Sequence, residues 1–119
     1  MSETITIPRP DDWHVHLREG DMLHAVIGYT SRRFRHAMVM PNLSSPVATT
    51  EQASTYLAQI REVTPSDSPD FRPLMTLYCS DQLHADDLIQ GHSEGIVKAV
   101  KYYPAGATTN SQSGGTAMM

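Results

Sequence analysis

The sequence holds a single cysteine, Cys79, so no internal disulfide can form and a reducing, cytoplasmic setting is expected. Long apolar runs are missing as well. Stretches such as Ala37 to Met40 are only a few residues long, far short of the roughly 20 that cross a bilayer. Met1 to Pro10 lacks the basic segment and apolar stretch of a signal peptide. Basic charge is scarce: 9 Lys and Arg stand against 13 Asp and Glu, and a net charge of −4 offers no footprint for nucleic acid. Total charge is low too, at 18% beside 39% hydrophobic residues, which excludes a disordered chain. No repeat or low-complexity tract interrupts it. What remains is a globular chain of 119 residues, read as one segment, 1–119.

Apolar periodicity divides that segment into alternating strands and helices. Asp12 to Leu17 reads as a strand, and Asp21 then stands at an N-cap position ahead of Met22, Leu23, Val26 and Ile27 at helical spacing. His36 to Met40 is a short apolar stretch stopped by Pro41, as expected of a strand buried on both faces. Thr49 and Gln52 have capping-box spacing, and Ala53, Tyr56, Leu57 and Ile60 form the apolar stripe of a second helix. Thr64 to Asp70 is a loop. Pro73 to Cys79 is a third strand, Ser80 to Gln90 a short helix with Gly91 as its stop, and Ile96 to Tyr102 a fourth strand. From Pro104 the chain is rich in Gly, Ser and Thr without periodicity, so 104–119 reads as loop and tail.

Such alternation predicts an α/β fold with a parallel sheet. Strand starts at 12, 36, 73 and 96 stand about 28 residues apart on average. Eight such units would need about 224 residues, within the size of a (β/α)8 barrel. Four units would be a half-barrel with two open sheet edges and an uncovered inner face, so the segment is expected to be the N-terminal half of a longer protein.

Chemistry concentrates first at His14 and His16. Period-2 alternation points both imidazoles to one face with Cα atoms about 6.6 Å apart, so that two neutral rings could converge on one zinc ion. The other reading is two polar residues at a strand end. Arg18 continues the alternation, and a guanidinium at a strand's C-terminal end suits bidentate capture of a carboxylate, unless it is an exposed loop arginine. Asn42 follows the second strand, at the end of the sheet where α/β proteins bind ligands, and is otherwise an ordinary turn residue. Lys98 and Lys101 are an odd number of residues apart, which puts them on opposite faces of the sheet, so at most one faces the interior. Lys101 is nearer the C-terminal end. A neutral lysine amine can take up carbon dioxide to give a carbamate, a carboxylate able to bridge two metal ions; the alternative is a snorkelling surface lysine. Cys79 and the methionines at 22, 38, 40 and 75 read as core residues. His24, His36, His84 and His92 are given no role.

The stretches RPDDWHVHLREGDML, VMPNL and KYYPAGATTN, in that order and spacing, closely resemble the N-terminal part of bacterial dihydroorotases of the shorter, homodimeric type, within the amidohydrolase superfamily. The resemblance covers nearly the whole chain. It implies a TIM-type barrel that binds two zinc ions and interconverts N-carbamoyl-L-aspartate and L-dihydroorotate in de novo pyrimidine biosynthesis. His14 and His16 match the family's zinc ligands, and Lys101 matches its carboxylated lysine, which bridges the metals through a carbamate derived from carbon dioxide. Arg18 and Asn42 match the groups that hold the substrate carboxylate. Thr108 and Thr109 fall in the loop that closes over substrate in similar enzymes. Two further zinc-binding histidines and a catalytic aspartate of the family have no match here, so full activity is expected to need residues beyond these 119. A related cyclic amidase of hydantoinase or allantoinase type would share the metal ligands without needing the Arg18 and Asn42 clamp. A non-catalytic half-barrel or assembly subunit is a second alternative. A simple zinc module, the third, would close its site with four local ligands.

Overall fold

Each apolar stretch becomes a strand and each amphipathic stretch a helix. In a computed structural model, which describes residues 2–107 and 110–116, the order is β1 (Asp12–Val15), α1 (Gly20–Ser31), β2 (His36–Val39), α2 (Thr50–Val63), β3 (Arg72–Tyr78), α3 (Ala85–Ser93) and β4 (Val97–Lys101). The strands form one parallel sheet in the order β1-β2-β3-β4. Thr108 and Thr109 lie outside the described residues.

The helices pack on one side of the sheet. Ala37, Val39, Met75, Leu77 and Val97 meet Leu23, Ile27, Ala53, Tyr56 and Ile60 in one apolar core. On β2 the other face is less covered: His36 and Met38 are half-buried while Ala37 and Val39 are fully buried, so β2 is not buried on both faces as its composition suggested, whereas Thr76 and Tyr78 on that face of β3 are buried. Met40 and Met75 are core residues, but Met22 is 57% exposed, because it lies on the side of α1 turned away from Leu23 and Ile27. Cys79 is half-buried, just past the end of β3.

Helix ends follow local chemistry. At α2 the Thr49 side chain accepts from the Gln52 amide at 3.1 Å while the Gln52 side chain accepts from the Thr49 amide at 3.2 Å, the expected capping box. At α1 the N-cap is Glu19, not Asp21, because the first helical bond closes on the Glu19 carbonyl; Asp21 sits in the first turn, facing the positive end of the helix dipole. Helix α3 begins at Ala85 rather than Ser80, since Ser80 to Leu83 form a turn in which the Gln82 amide bonds the Ser80 side chain and the Leu83 amide bonds the Ser80 carbonyl. Gly91 is no stop: it is buried inside α3. The stop is Gly95, at φ 78°, where the Gly95 amide bonds the His92 carbonyl and the Ile96 amide bonds that of Gly91, a Schellman pattern.

Two irregularities in pairing decide which side chains face which way. Asp12 and Val15 pair with Ala37 and Val39, so three steps on β1 match two on β2. Likewise Val97 pairs with Met75 but Ala99 pairs with Thr76, leaving Lys98 as an extra residue on β4. Beyond this bulge Lys101 pairs with Tyr78, on the face away from the helices. The bulge, rather than regular alternation between Lys98 and Lys101, therefore sets the direction of Lys101. After β4 the chain turns back on itself, with Pro104 bridged to Gly115 and the Gly106 amide bonded to the Ser111 carbonyl at 2.9 Å.

Candidate active site

The carboxyl ends of β1, β2 and β4 bring the candidate residues together. The Met40 amide bonds the Val15 carbonyl at 2.9 Å and the Cys79 amide bonds the Lys101 carbonyl at 2.8 Å, which level the strand ends. At the β1 irregularity the His14 amide donates to Asp12 Oδ1 at 3.0 Å. The His14 and His16 Nε2 atoms stand 3.2 Å apart, within hydrogen-bond distance, with the rings tilted by 58°. Two zinc to nitrogen bonds of 2.0 to 2.1 Å at a tetrahedral angle would separate their nitrogens by about 3.3 Å, so the pair has the spacing of two ligands on one ion. Burial, joined by the positive charges of Lys101, Arg18 and His14, pulls His16 down to about 4, which leaves its ring neutral near pH 7 and its lone pair available.

Asn42 joins the other groups. It is 1% exposed, and its side-chain oxygen accepts from Lys101 Nζ at 2.5 Å. Its backbone carbonyl accepts from Arg18 Nη1 at 3.3 Å and from Asn110 Nδ2 at 3.4 Å. Burial first, and then the Arg18 charge, lower the Lys101 pKa, which raises the share of neutral amine. The Lys101 nitrogen also stands 4.9 Å from the centre of the Tyr103 ring. Arg18 has φ 57°, and its backbone carbonyl accepts from the Tyr56 hydroxyl at 2.5 Å. Beside Arg18 opens a cavity of about 500 Å³, lined also by Glu19, Met22, Leu43, Ser44 and Asn110.

Among the described residues neither Arg18 nor Lys101 forms an ion pair, and no group of three or more His, Cys, Asp or Glu gathers into a metal site. The segment thus collects two imidazoles, an amine and a guanidinium, a set suited to a cation at the histidines and an anion at the arginine. Five sequence-predicted residues, His14, His16, Arg18, Asn42 and Lys101, meet here. Tyr56, Tyr103 and Asn110 were missed. Tyr56 reads as one more member of an apolar stripe; its signal is that a buried phenol needs a hydrogen-bond partner. His36, given no role, pairs with Asp11 at 2.9 Å, away from this cluster.

The fold and the position of these groups define a barrel-type parallel α/β segment with its chemistry at the carboxyl ends of the strands. No family model matches the chain. Its sequence is 53% identical over 116 residues to the dihydroorotase of Erythrobacter litoralis, covering 98% of this chain and 33% of that protein. It is 51% identical over 117 residues to the dihydroorotase of Salmonella arizonae, again 98% and 33% of the two chains. Among solved structures it resembles the dihydroorotase of Campylobacter jejuni, with a TM-score of 0.82 and 34% identity over 92% of this chain and 31% of that one. The dihydroorotase of Saccharomyces cerevisiae, in complex with 5-fluoroorotic acid, gives a TM-score of 0.79 and 34% identity over 88% and 28%. Over nearly its whole length the chain is thus similar to dihydroorotases, and it spans about a third of the length of these relatives.

Proposed function

We propose that this chain is the N-terminal half of the barrel of a zinc-dependent dihydroorotase, which interconverts N-carbamoyl-L-aspartate and L-dihydroorotate in pyrimidine biosynthesis. The observation that carries the reading is the meeting of an imidazole pair at ligand spacing with the linked groups Lys101, Asn42 and Arg18. His14 and His16 would hold one zinc ion, and Lys101, once carboxylated, would bridge it to a second. When bound, two such ions lower the pKa of a water and polarise a carbonyl.

The protein's own residues do the rest. Carboxylation joins the neutral Lys101 nitrogen to the carbon of carbon dioxide and releases a proton, and the lowered pKa of Lys101 favours the amine that reacts. Arg18 receives the substrate carboxylate on its guanidinium, with the Asn42 amide beside it, and converts orientation into rate. Thr108 and Thr109 would close over the bound substrate. A homodimer in a reducing, cytoplasmic setting belongs to the same reading, and the free Cys79 fits the reducing part of it. The Arg18 and Asn42 clamp favours a carboxylate-bearing ring over the substrates of hydantoinase-type amidases.

The test uses the complete protein. Arg18→Ala should raise KM about 10- to 100-fold, the loss of one charge-assisted hydrogen bond, with metal content unchanged. Lys101→Ala should lose metal and at least about 1,000-fold in rate, partly restored by short carboxylates. Full rate with two metals in Lys101→Ala would remove Lys101 from the site, and loss of metal in Arg18→Ala would reassign Arg18.

A further inference from the structure

Arg18 is the clamp residue least secured by its own segment. At φ 57° it occupies the left-handed region, where the Cβ of an ordinary L-residue crowds the backbone, so the turn persists only if its surroundings hold it. On one side Leu17, 1% exposed, is buried in the core. On the other, α1 begins with the Leu23 amide on the Glu19 carbonyl. Between these anchors the Arg18 carbonyl accepts a hydrogen bond from Tyr56, a residue 38 positions further along the chain and on another helix.

Tyr56 is well placed to hold it. Its ring is 3% exposed and packs in the same core as Leu17 and Leu23, and the capping box fixes the first turn of its helix. A buried phenol needs a partner, and this one is the backbone of the turn that carries the guanidinium. Arg18 Nη1 in turn reaches the Asn42 carbonyl at 3.3 Å. Without the hydroxyl, the Arg18 carbonyl loses this partner and the turn is free to relax toward extended backbone, which swings the guanidinium off Asn42.

We propose that Tyr56 is a positioning residue: its hydroxyl holds the Arg18 backbone turn and thereby aims the guanidinium at the substrate carboxylate. The inference rests on the dihydroorotase reading of Arg18. It requires Tyr56 to act on substrate binding through Arg18 and not on the metal-binding residues.

The test is a double-mutant cycle in the complete, metal-loaded protein with Tyr56→Phe and Arg18→Ala. Tyr56→Phe should raise KM for dihydroorotate about 5- to 20-fold, change kcat less than about threefold and leave metal content unchanged. In the Arg18→Ala background the same substitution should change KM less than about twofold. Replacing Tyr56 by 4-aminophenylalanine, which keeps a donor at the ring's para position, should restore most of the lost affinity; it also tests the link should the phenylalanine variant fold poorly. An unchanged KM in Tyr56→Phe, a KM effect that persists without the Arg18 side chain, or no recovery with 4-aminophenylalanine overturns the proposal. An unchanged KM in Arg18→Ala alone would remove Arg18 from carboxylate binding, a failure of the site reading that this single variant distinguishes, and Tyr56's role would fall with it.

Discussion

At Gly91 the constraint on the chain is the space of one carbon atom. A Cβ there would come within 2.2 Å of Thr50 Oγ1 and 2.7 Å of Val97 Cγ2, so α3 lies directly against the start of α2 and the start of β4. Thr50 cannot easily turn away, because its hydroxyl donates to the Asp87 carbonyl at 2.9 Å and its amide to Asp87 Oδ2 at 2.8 Å. Gly91→Ala would gain about 1 kcal/mol in helix propensity and lose about 1 to 3 kcal/mol to overpacking, plus about 1 kcal/mol if the Thr50 bond breaks. With the Thr50 bond broken the losses win, and a net destabilisation of about 1 to 3 kcal/mol is expected, read from the denaturant midpoint. An equal or higher midpoint would show that Thr50 and Val97 yield without cost. Asn42 is the opposite case, a residue whose local pattern reads as a turn or a ligand-end position and whose role in a carboxylate clamp comes only from the family resemblance. Its contacts with Arg18, Lys101 and Asn110 come from residues 24, 59 and 68 positions away, beyond the reach of any local pattern.

Elements were the most legible scale. The stripe of Ala53, Tyr56, Leu57 and Ile60 and the Thr49 and Gln52 box announce α2, because caps and periodicity act within one or two turns. Thr49→Ala removes one half of that box and should destabilise the protein by about 1 kcal/mol, read from urea unfolding; a change below a few tenths would mean that the Gln52 side chain alone secures the helix start. Strand faces were less legible. Period-2 reasoning paired His14 with His16 and separated Lys98 from Lys101, yet β1 and β4 each carry a register shift. A bulge forms only when a neighbouring strand sets the pairing, so sequence alternation alone could not show why Lys101 faces the site.

At the scale of the whole molecule, the described residues form a sheet that ends in two edges, β1 and β4, each paired on one side. Beside β4, Ile89 is 66% exposed and Val100 39%, and a largely apolar cavity of about 440 Å³ runs between α3 and that strand. Open parallel edges with apolar flanks invite pairing with other chains. The 119-residue segment on its own is therefore expected to self-associate as concentration rises, measured by light scattering, and Val100→Lys should reduce that tendency. A segment that stays monomeric with a helical and stranded circular dichroism spectrum would show that these edges protect themselves.

The sequence by itself determined the α/β class, the order of the elements, the α2 cap and the identity of the five candidate residues, because periodicity, capping and motif spacing are local properties of the chain. Only the tertiary structure decided how those residues meet. The left-handed turn at Arg18, the β4 bulge behind Lys101 and the burial of Asn42 depend on strand pairing and on contacts between distant segments, whose cost in chain entropy is met only when the whole sheet and its helices form together.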